Sequence, residues 1–167
     1  MENPIFVDEM LPKDWGRVRE IYREGIATGN ATFQKEAPSW EDWDNSHTEK
    51  SRLVVRSEGE ILGWAALSPV SNRCVYAGVA EVSIYVSQFS KGKGIGSFLL
   101  KSLIEKSEEH GFWMLQSGIF PENVPSLKIH YKNGFREVGR RERIGKMDGR
   151  WRDTILLERR STSVGVH

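Results

Sequence analysis

The sequence has very little cysteine, almost no net charge and no long apolar run. Its 167 residues include one cysteine, Cys74, so no internal disulfide can form and we expect the reducing cytoplasm as its location. No run of about 18 apolar residues and no basic-then-apolar N-terminal segment is present, so we expect a soluble protein that is not exported. The net charge of +1 attracts neither nucleic acid nor an anionic membrane surface.

Metal-ligating and nucleophilic groups are also scarce. His47, His110 and His167 show no metal-ligand spacing with acidic residues or with cysteine, so we predict no metal site and assign these histidines no role. Cys74 has no nearby histidine that would activate its thiol. A covalent intermediate on the protein is therefore not expected.

The hydrophobic pattern predicts one α/β domain with a mixed sheet. The spacing of apolar residues along the chain changes between that of strands and that of helices, in the order β-α-α-β-β-β-α-β-α-β-β. The predicted strand at 79–87 leads into a predicted helix at 96–110, which Gly111 ends. We place the domain at residues 3–158 and expect residues 159–167, which lose all periodicity, to form a disordered tail.

The most informative segment is the glycine-rich loop at residues 91–97, which reads K-G-K-G-I-G-S. Three glycines in five positions free the backbone N–H groups to surround a bound anion, and the following helix directs its unpaired N–H groups to the same place. The loop lacks the Gly-Lys-Ser/Thr of the P-loop and the third glycine of the dinucleotide fingerprint. We therefore predict a phosphate or pyrophosphate site that belongs to neither of those two motifs.

This loop resembles the acetyl-CoA loop of the GNAT acetyltransferases, R/Q-x-x-G-x-G/A, with Lys91 in the place of Arg or Gln and with Gly94 and Gly96 matching. Further along, N-V-P-S (123–126) and L-K-I-H-Y-K-N-G-F (127–135) are similar to the family signature N-x-x-S/A-x-x-x-Y/H-x-x-x-G-F. Within the family, the chain most resembles the phosphinothricin and methionine sulfoximine N-acetyltransferases. The likeness covers roughly residues 3–158, through A-T-F (31–33), N-R-C-V-Y (72–76), A-E-V-S-I-Y-V (80–86) and G-R-W-R-D (149–153).

The resemblance implies a GNAT fold, in which a mixed, mostly antiparallel twisted sheet is flanked by helices, and acetyl-CoA as cosubstrate without a metal. It also implies a direct transfer of the acetyl group within a ternary complex. Coenzyme A would bind along the end of the strand that leads to Val86, in the glycine-rich loop and at the asparagine of N-V-P-S. An N–H near Val86 would bind the oxyanion. Those cofactor residues are Ile84, Tyr85, Val86, Gly92, Lys93, Gly94, Ile95, Gly96, Ser97 and Asn123. Asn123 can equally cap the helix that begins at Val124, and both roles are compatible.

Two catalytic residues are implied by the same resemblance. Glu81 matches the glutamate that acts as general base, although a strand glutamate can also simply face solvent. A half-buried carboxylate in a cleft has a raised pKa, which suits it to accept a proton from an ammonium group. His130 would protonate the departing thiolate, but it can equally be a packed or solvated histidine, and Tyr131 could replace it.

Acceptor binding is implied at Phe33, Asn72, Arg73, Glu81, Val82 and Ser83. Arginine suits the bidentate capture of a carboxylate or phosphinate, whereas a solvated loop arginine is the alternative for Arg73. Phe33 would form an apolar wall or pack beneath the first helix.

The leading hypothesis is an N-acetyltransferase for the primary amine of a small amino-acid analogue of the phosphinothricin, methionine sulfoximine or methionine sulfone type. The alternatives are a GNAT enzyme that acetylates a peptide, protein or drug amine, and a non-catalytic acyl-CoA sensor. A nucleic-acid-binding module is disfavoured by the near-zero net charge and the lack of a basic stripe. The resemblance also implies a homodimer, with the C-terminal hairpin and Trp151 near the partner.

Overall fold

The computed structural model describes residues 4–167, which form seven strands and four helices in the predicted order. The predicted domain start at residue 3 lies outside the described residues. The elements are β1 Phe6–Glu9, α1 Trp15–Ala27, α2 Trp40–Ser46, β2 Leu53–Ser57, β3 Glu60–Pro69, β4 Val79–Val86, α3 Ile95–Glu109, β5 Met114–Ile119, α4 Val124–Lys132, β6 Arg136–Met147 and β7 Arg150–Arg160.

All seven strands belong to one sheet of order β1-β2-β3-β4-β5-β7-β6. Every neighbouring pair is antiparallel except β4 and β5, which are parallel and connected through α3. A parallel connection requires a crossover, and the amphipathic α3 provides it. The predicted mixed, mostly antiparallel sheet is confirmed.

Each face of the sheet is covered by its own apolar cluster. On one face, α3 and α4 pack on alternate residues of β4, including Val82, Ile84 and Val86. On the other face, α1 and α2 cover an aromatic cluster in which the ring of Tyr85 stacks on Tyr22 and Trp64. Because successive strand residues face opposite sides, β4 presents Glu81, Ser83 and Tyr85 to the α1–α2 face.

The residue before α1, Asp14, is of a type that often caps a helix, but its side chain makes no capping bond there. Its buried carboxylate instead accepts hydrogen bonds from both terminal nitrogens of Arg56, at 2.6 and 3.0 Å, and from the Leu11 N–H at 2.8 Å. The tertiary partner Arg56, which is 42 residues away in the chain, decides the role of Asp14.

The predicted disordered tail is also corrected by the structure. β7 continues through the expected boundary to Arg160, and the N–H of buried Ser161 donates to the Trp113 carbonyl at 2.8 Å. The Ser161 hydroxyl donates to the carboxylate of Glu108 at 2.9 Å, and Ser163 contacts the same carboxylate. Local polarity could not reveal this ordering, since its partners lie about 50 residues earlier in the chain.

Candidate active site

The site begins where the hydrogen bonding between β4 and β5 ends. The two strands pair only at Val79–Met114, Ala80–Leu115 and Glu81–Gln116, although both continue beyond these positions. Past Glu81 they no longer share a ladder, so main-chain groups of both strands border a gap in the sheet. The gap joins the α3–α4 face to the α1–α2 face.

A cavity of about 460 Å³ lies at this gap, and its wall includes residues of both α1 and α4. Its volume is that of an ordinary small-molecule site. We call it the acceptor cavity; it is lined by Tyr22, Ala31, Thr32, Phe33, Gln34, Ser46, His47, Ser68, Glu81, Val82, Ser83, Ile84, Tyr85, Ser117, Gly118, Ile119, Phe120, Asn123, Ser126, His130 and Thr154. Eight of the residues named from the sequence are therefore brought together: Phe33, Glu81, Val82, Ser83, Ile84, Tyr85, Asn123 and His130.

Glu81 is the acidic residue in the wall of the acceptor cavity. Its Oε1 lies 3.9 Å from the position that a Cβ on Gly118 would occupy, so the carboxylate faces β5 across the gap. Solvent reaches the side chain, but the surrounding protein removes part of its hydration and thereby raises the pKa of the Glu81 carboxyl. The positive charge of Arg141 opposes part of this rise. A carboxylate of raised pKa at a cavity wall suits proton abstraction.

His130 lies on the other side of the cavity, with only 2% of its surface exposed. Its Nδ1 is 2.7 Å from the Ser126 carbonyl oxygen, which can only accept, so the proton of the neutral ring is on Nδ1. Burial lowers the pKa of His130, and the bond to Ser126 offsets this only in part, so the ring is neutral near pH 7. Nε2 is buried, has no protein partner within the described residues, and carries the lone pair.

The protonation state of His130 differs from the proton donor that the sequence suggested. A neutral ring whose only proton is bound to Ser126 can accept a hydrogen bond at Nε2 but cannot donate one there. Tyr131, the alternative donor, is exposed and does not line the cavity. In its neutral form His130 therefore has no proton at Nε2 to give to a leaving group, and Tyr131 lies outside the cavity.

The glycine-rich loop lies beside the cavity, on the α3–α4 face. Gly92 and Gly94 have φ angles of 80° and 77°, a conformation that strains any other residue, and no atom would contact a Cβ there. Phe98 is the residue whose N–H first bonds back into the helix, to Gly94, so the preceding N–H groups point outward from the start of α3. Gly96 is closely packed, because a Cβ there would lie 3.2 Å from the end of the Ile129 side chain, which would have to shift. We call residues 91–97 with the start of α3 the cradle.

Three further cofactor candidates, Asn123, Tyr85 and Val86, differ in how they lie relative to the gap. The Asn123 side chain accepts a hydrogen bond from the Ser126 N–H at 3.3 Å, so the predicted helix cap is present, and its amide donates to the Asn30 carbonyl at 3.2 Å. Tyr85 points its ring into the aromatic cluster on the acceptor side, so only its main chain can face the gap. Val86 packs toward Gly96 and does not line the cavity.

Asn72 and Arg73 are the two acceptor-binding candidates that the structure leaves outside the acceptor cavity. Both are exposed in the loop before β4. The Arg73 guanidinium lies 5.7 Å from the centre of the Tyr76 ring. This arrangement is that of a solvated loop arginine.

The loop that carries Phe33 is held by contacts that the sequence did not indicate. The buried guanidinium of Arg152 donates to the Gly29 carbonyl at 2.8 Å and to Asn30 Oδ1 at 2.9 Å, and it lies 4.0 Å from the centre of the Phe120 ring. The Phe33 ring packs edge-on against Phe120 with centroids 4.8 Å apart. These contacts fix the loop that closes one side of the cavity. Only the fold brings residue 152 beside residue 30, so pattern and composition gave no signal for it.

Comparison with known proteins agrees with this geometry. Residues 15–135 match the model of the acetyltransferase (GNAT) family, which is more than half of the chain. The chain belongs to the GNAT family of acetyltransferases. It is 32% identical over 157 residues to a phosphinothricin N-acetyltransferase of Streptomyces coelicolor, covering 89% of this chain and 92% of the relative. It is also 32% identical over 144 residues to an L-methionine sulfoximine/L-methionine sulfone acetyltransferase of Pseudomonas aeruginosa, covering 83% and 84%.

Solved structures support the same assignment for this GNAT chain. A phosphinothricin acetyltransferase of Sinorhizobium meliloti, solved in complex with acetyl-CoA, superposes with a TM-score of 0.86 at 28% identity and covers 98% of this chain and 91% of that one. The predicted fold class and family are thereby confirmed. Within residues 4–167, no cluster of three or more His, Cys, Asp or Glu side chains could hold a metal ion, and no helix has the length and apolarity needed to cross a membrane.

The wall formed by Phe33 depends on the lack of a side chain at Gly145, which leads to a testable prediction. A Cβ at Gly145 would lie 2.9 Å from the Phe33 ring, so Gly145→Ala displaces that ring and reshapes the cavity. We expect the KM for the acceptor to rise about three- to ten-fold while the affinity for coenzyme A is unchanged, measured by steady-state kinetics and calorimetry. Gly139→Ala, on the same strand with open space around its Cβ, is the matched control. An unchanged acceptor KM in Gly145→Ala contradicts this role of Phe33.

The protonation state of His130 can be observed directly. We expect ¹⁵N NMR of labelled protein to show a protonated Nδ1 and an unprotonated Nε2 at pH 7, with titration below the ordinary histidine value of 6.5. The unfolded chain binds a proton more readily at this residue, so its contribution to stability is present above pH 6.5 and is lost as the pH falls through the lowered folded pKa. A ring protonated at Nε2 near pH 7 contradicts the assignment.

Proposed function

We propose that this GNAT enzyme transfers the acetyl group of acetyl-CoA to the primary amine of a small amino-acid analogue of the phosphinothricin, methionine sulfoximine or methionine sulfone type. One observation carries the proposal: β4 and β5 part after Glu81 at a cavity that contains the Glu81 carboxylate, and β4 continues from there toward the cradle at the start of α3. The names of the two relatives and of the S. meliloti enzyme supply the acceptor class.

The residues present suit acetyl-CoA. The cradle can receive the pyrophosphate, because its glycines adopt conformations that leave the N–H groups uncovered and the helix dipole of α3 favours an anion. The cofactor residues expected in the cradle are Gly92, Lys93, Gly94, Ile95, Gly96 and Ser97. The pantetheine arm would follow the edge of β4 at Ile84, Tyr85 and Val86 and pass Asn123, with an N–H near Val86 facing the developing oxyanion.

Glu81 serves as general base in this proposal. It takes a proton from the acceptor ammonium, directly or through a water, and the neutral amine then attacks the thioester carbonyl carbon. A C–N bond forms, the C–S bond breaks, and coenzyme A leaves as its thiolate. That thiolate takes the second proton of the attacking nitrogen, directly or through a water, so the products are the neutral amide and the thiol of coenzyme A. Nε2 of His130, on the other side of the cavity from Glu81, is free to accept a hydrogen bond, so His130 would support proton removal. A thiolate leaves without a strong acid because thiols have pKa values near 8.5.

The side chains of the cavity wall favour direct transfer within a ternary complex, without an acetylated protein as intermediate. Cys74 is exposed in the loop before β4 and does not line the acceptor cavity. Within the described residues, the cavity wall thus offers hydroxyl groups but no thiol. Phe33, Val82 and Ser83 would contact the acceptor, while any role of Asn72 and Arg73 requires movement of their exposed loop.

Replacement of Glu81 tests the proposal. Glu81→Gln retains the size of the side chain but cannot accept a proton, so we expect kcat to fall at least 100-fold while calorimetry shows unchanged acetyl-CoA binding. In the wild type, the rate falls as the pH drops through the raised pKa of Glu81, because the protonated carboxyl is inactive. Release of coenzyme A thiol with methionine sulfone, methionine sulfoximine and phosphinothricin is the assay.

The control for this experiment is Glu60→Gln, an exposed glutamate at the β2–β3 turn, which should leave the rate unchanged. Wild-type protein that binds acetyl-CoA but acetylates none of the three acceptors contradicts the proposed acceptor class. If no other amine is acetylated either, the protein is an acyl-CoA sensor.

We also propose that two copies associate through the β6–β7 hairpin. β6 is the last strand of the sheet, and the hairpin exposes Val138, Ile144 and Trp151, the last with 59% of its surface accessible. Light scattering should give a dimer for the wild type and a monomer for Trp151→Glu, because a buried charge would oppose association. Phe89→Glu changes an even more exposed aromatic outside the hairpin and should remain a dimer. A monomeric wild type contradicts the proposal.

We also propose that the protein is cytoplasmic. The single cysteine has an exposed free thiol, which suits a reducing compartment. Fractionation of the native cell tests this location, and recovery of the protein outside the cytoplasm contradicts it.

A further inference from the structure

A row of side chains crosses the α1–α2 face of the sheet. It begins at Glu81 and ends at Arg141, an arginine that the proposed function does not use. Glu81 is paired with Gln116 on β5, and Gln116 with Glu158 on β7. Two and four residues before Glu158, on the same face of β7, lie Leu156 and Thr154. Thr154 lines the acceptor cavity and is paired with Arg141 on β6. Directly paired residues share a face, so Arg141 lies on the side of the sheet that carries Glu81.

Arg141 forms no ion pair with any of the residues that the structure describes. Two other arginines of β6 form ion pairs with β7, Arg136 with Glu158 and Arg140 with Asp153. Within residues 4–167, Arg141 has no carboxylate at ion-pair distance, and its side chain is exposed. Its charge is nevertheless felt at Glu81, where it lowers the pKa of the carboxyl against the effect of burial. The face of the sheet that carries the Glu81 carboxylate therefore also carries a guanidinium with no ion-pair partner among the described residues.

The backbone around Arg141 is fixed by a bulge in β6. The register with β7 shifts between Arg141 and Gly145, and Arg143 has a φ of 47°. Asp153 holds the bulge by accepting from the Arg143 N–H at 2.7 Å and from Arg140 Nε at 2.8 Å. Bulges commonly redirect side chains next to active sites. Here the bulge begins directly after Arg141, and the strand returns to register at Gly145, against which Phe33 packs.

An α-amino acid carries its ammonium and its carboxylate on one carbon atom. An ammonium at Glu81 therefore brings a carboxylate within a few ångströms, and that carboxylate needs a cationic partner. Arg73, which the sequence suggested for this purpose, lies outside the cavity beside Tyr76. Arginine is well suited to the task because its planar guanidinium binds both carboxylate oxygens at once.

We propose that Arg141 binds the α-carboxylate of the acceptor and thereby selects amino acids over other amines. The proposal rests on the proposed function, because it takes Glu81 as the partner of the acceptor ammonium. Arg141 is a specificity-determining residue in this arrangement: it contacts the acceptor at an atom that does not react.

Arg141→Met tests the inference, because it removes the charge and retains much of the length of the side chain. Calorimetry with coenzyme A present measures the affinity for methionine sulfone and for its carboxamide, which has no carboxylate. We expect Arg141→Met to weaken binding of methionine sulfone about ten-fold or more and to change binding of the carboxamide less than two-fold. The KM values for acetyl transfer should shift in the same ratio, whereas any change in kcat should be common to both acceptors.

Arg143→Met is the matched control, since it removes the same charge from the same strand two residues away. We expect it to leave both affinities unchanged. Equal losses in the two variants, equal losses for acid and carboxamide, or a wild type that does not distinguish acid from carboxamide would each overturn the inference.

Phosphinothricin separates the two possible anions of an acceptor. It has an α-carboxylate and a side-chain phosphinate, whereas methionine sulfone has only the carboxylate, so Arg141→Met should weaken both acceptors by the same factor. A much larger loss for phosphinothricin would place the phosphinate at Arg141 and overturn the carboxylate assignment. Failure of the proposed function is distinguishable, because the wild type would then transfer acetyl to none of these acceptors.

Discussion

The ladder between β4 and β5 ends at Glu81 and Gln116, and every part of the site depends on that termination. Two parallel strands that continue without sharing hydrogen bonds leave main-chain groups facing a gap, and such groups are costly to bury without partners. The gap is tolerated because it is a cavity that solvent or a ligand can fill. It places the edge of β4 between an anion cradle and an acidic pocket, so that two substrates can meet through the sheet.

The side chains of β4 alternate between the two faces of the sheet. Val82, Ile84 and Val86 pack toward α3 and α4, next to the cradle, while Glu81, Ser83 and Tyr85 face α1 and α2. The period of two along a strand thus turns successive side chains of β4 toward opposite faces of the sheet. The acceptor side is further shaped by distant residues: Arg152 holds the turn at Gly29 and Asn30, and Gly145 leaves room for Phe33.

Electrostatics in the cavity follow from partial burial. Removal of water raises the pKa of Glu81 and lowers that of His130, so the carboxyl becomes a better base and the imidazole stays neutral. The carbonyl of Ser126 then fixes the proton on Nδ1 and leaves a lone pair at Nε2. Both protonation states suit the proton removal proposed above, and the guanidinium of Arg141 adds a positive charge on the same side of the sheet.

The sequence by itself determined the element order, the mixed sheet, the glycine cradle and the position of Glu81, because these depend on local periodicity and on short motifs. The helix cap at Asn123 was predictable for the same reason. Only the tertiary structure decided the proton position on His130, the exposure of Arg73, the ion pair of Asp14 and the ordering of residues 161–165. Each of these depends on a partner or a degree of burial that the fold sets, and in several cases the partner is tens of residues away. The row from Glu81 to Arg141 likewise exists only because strand pairing brings residues 81, 116, 158, 154 and 141 onto one face.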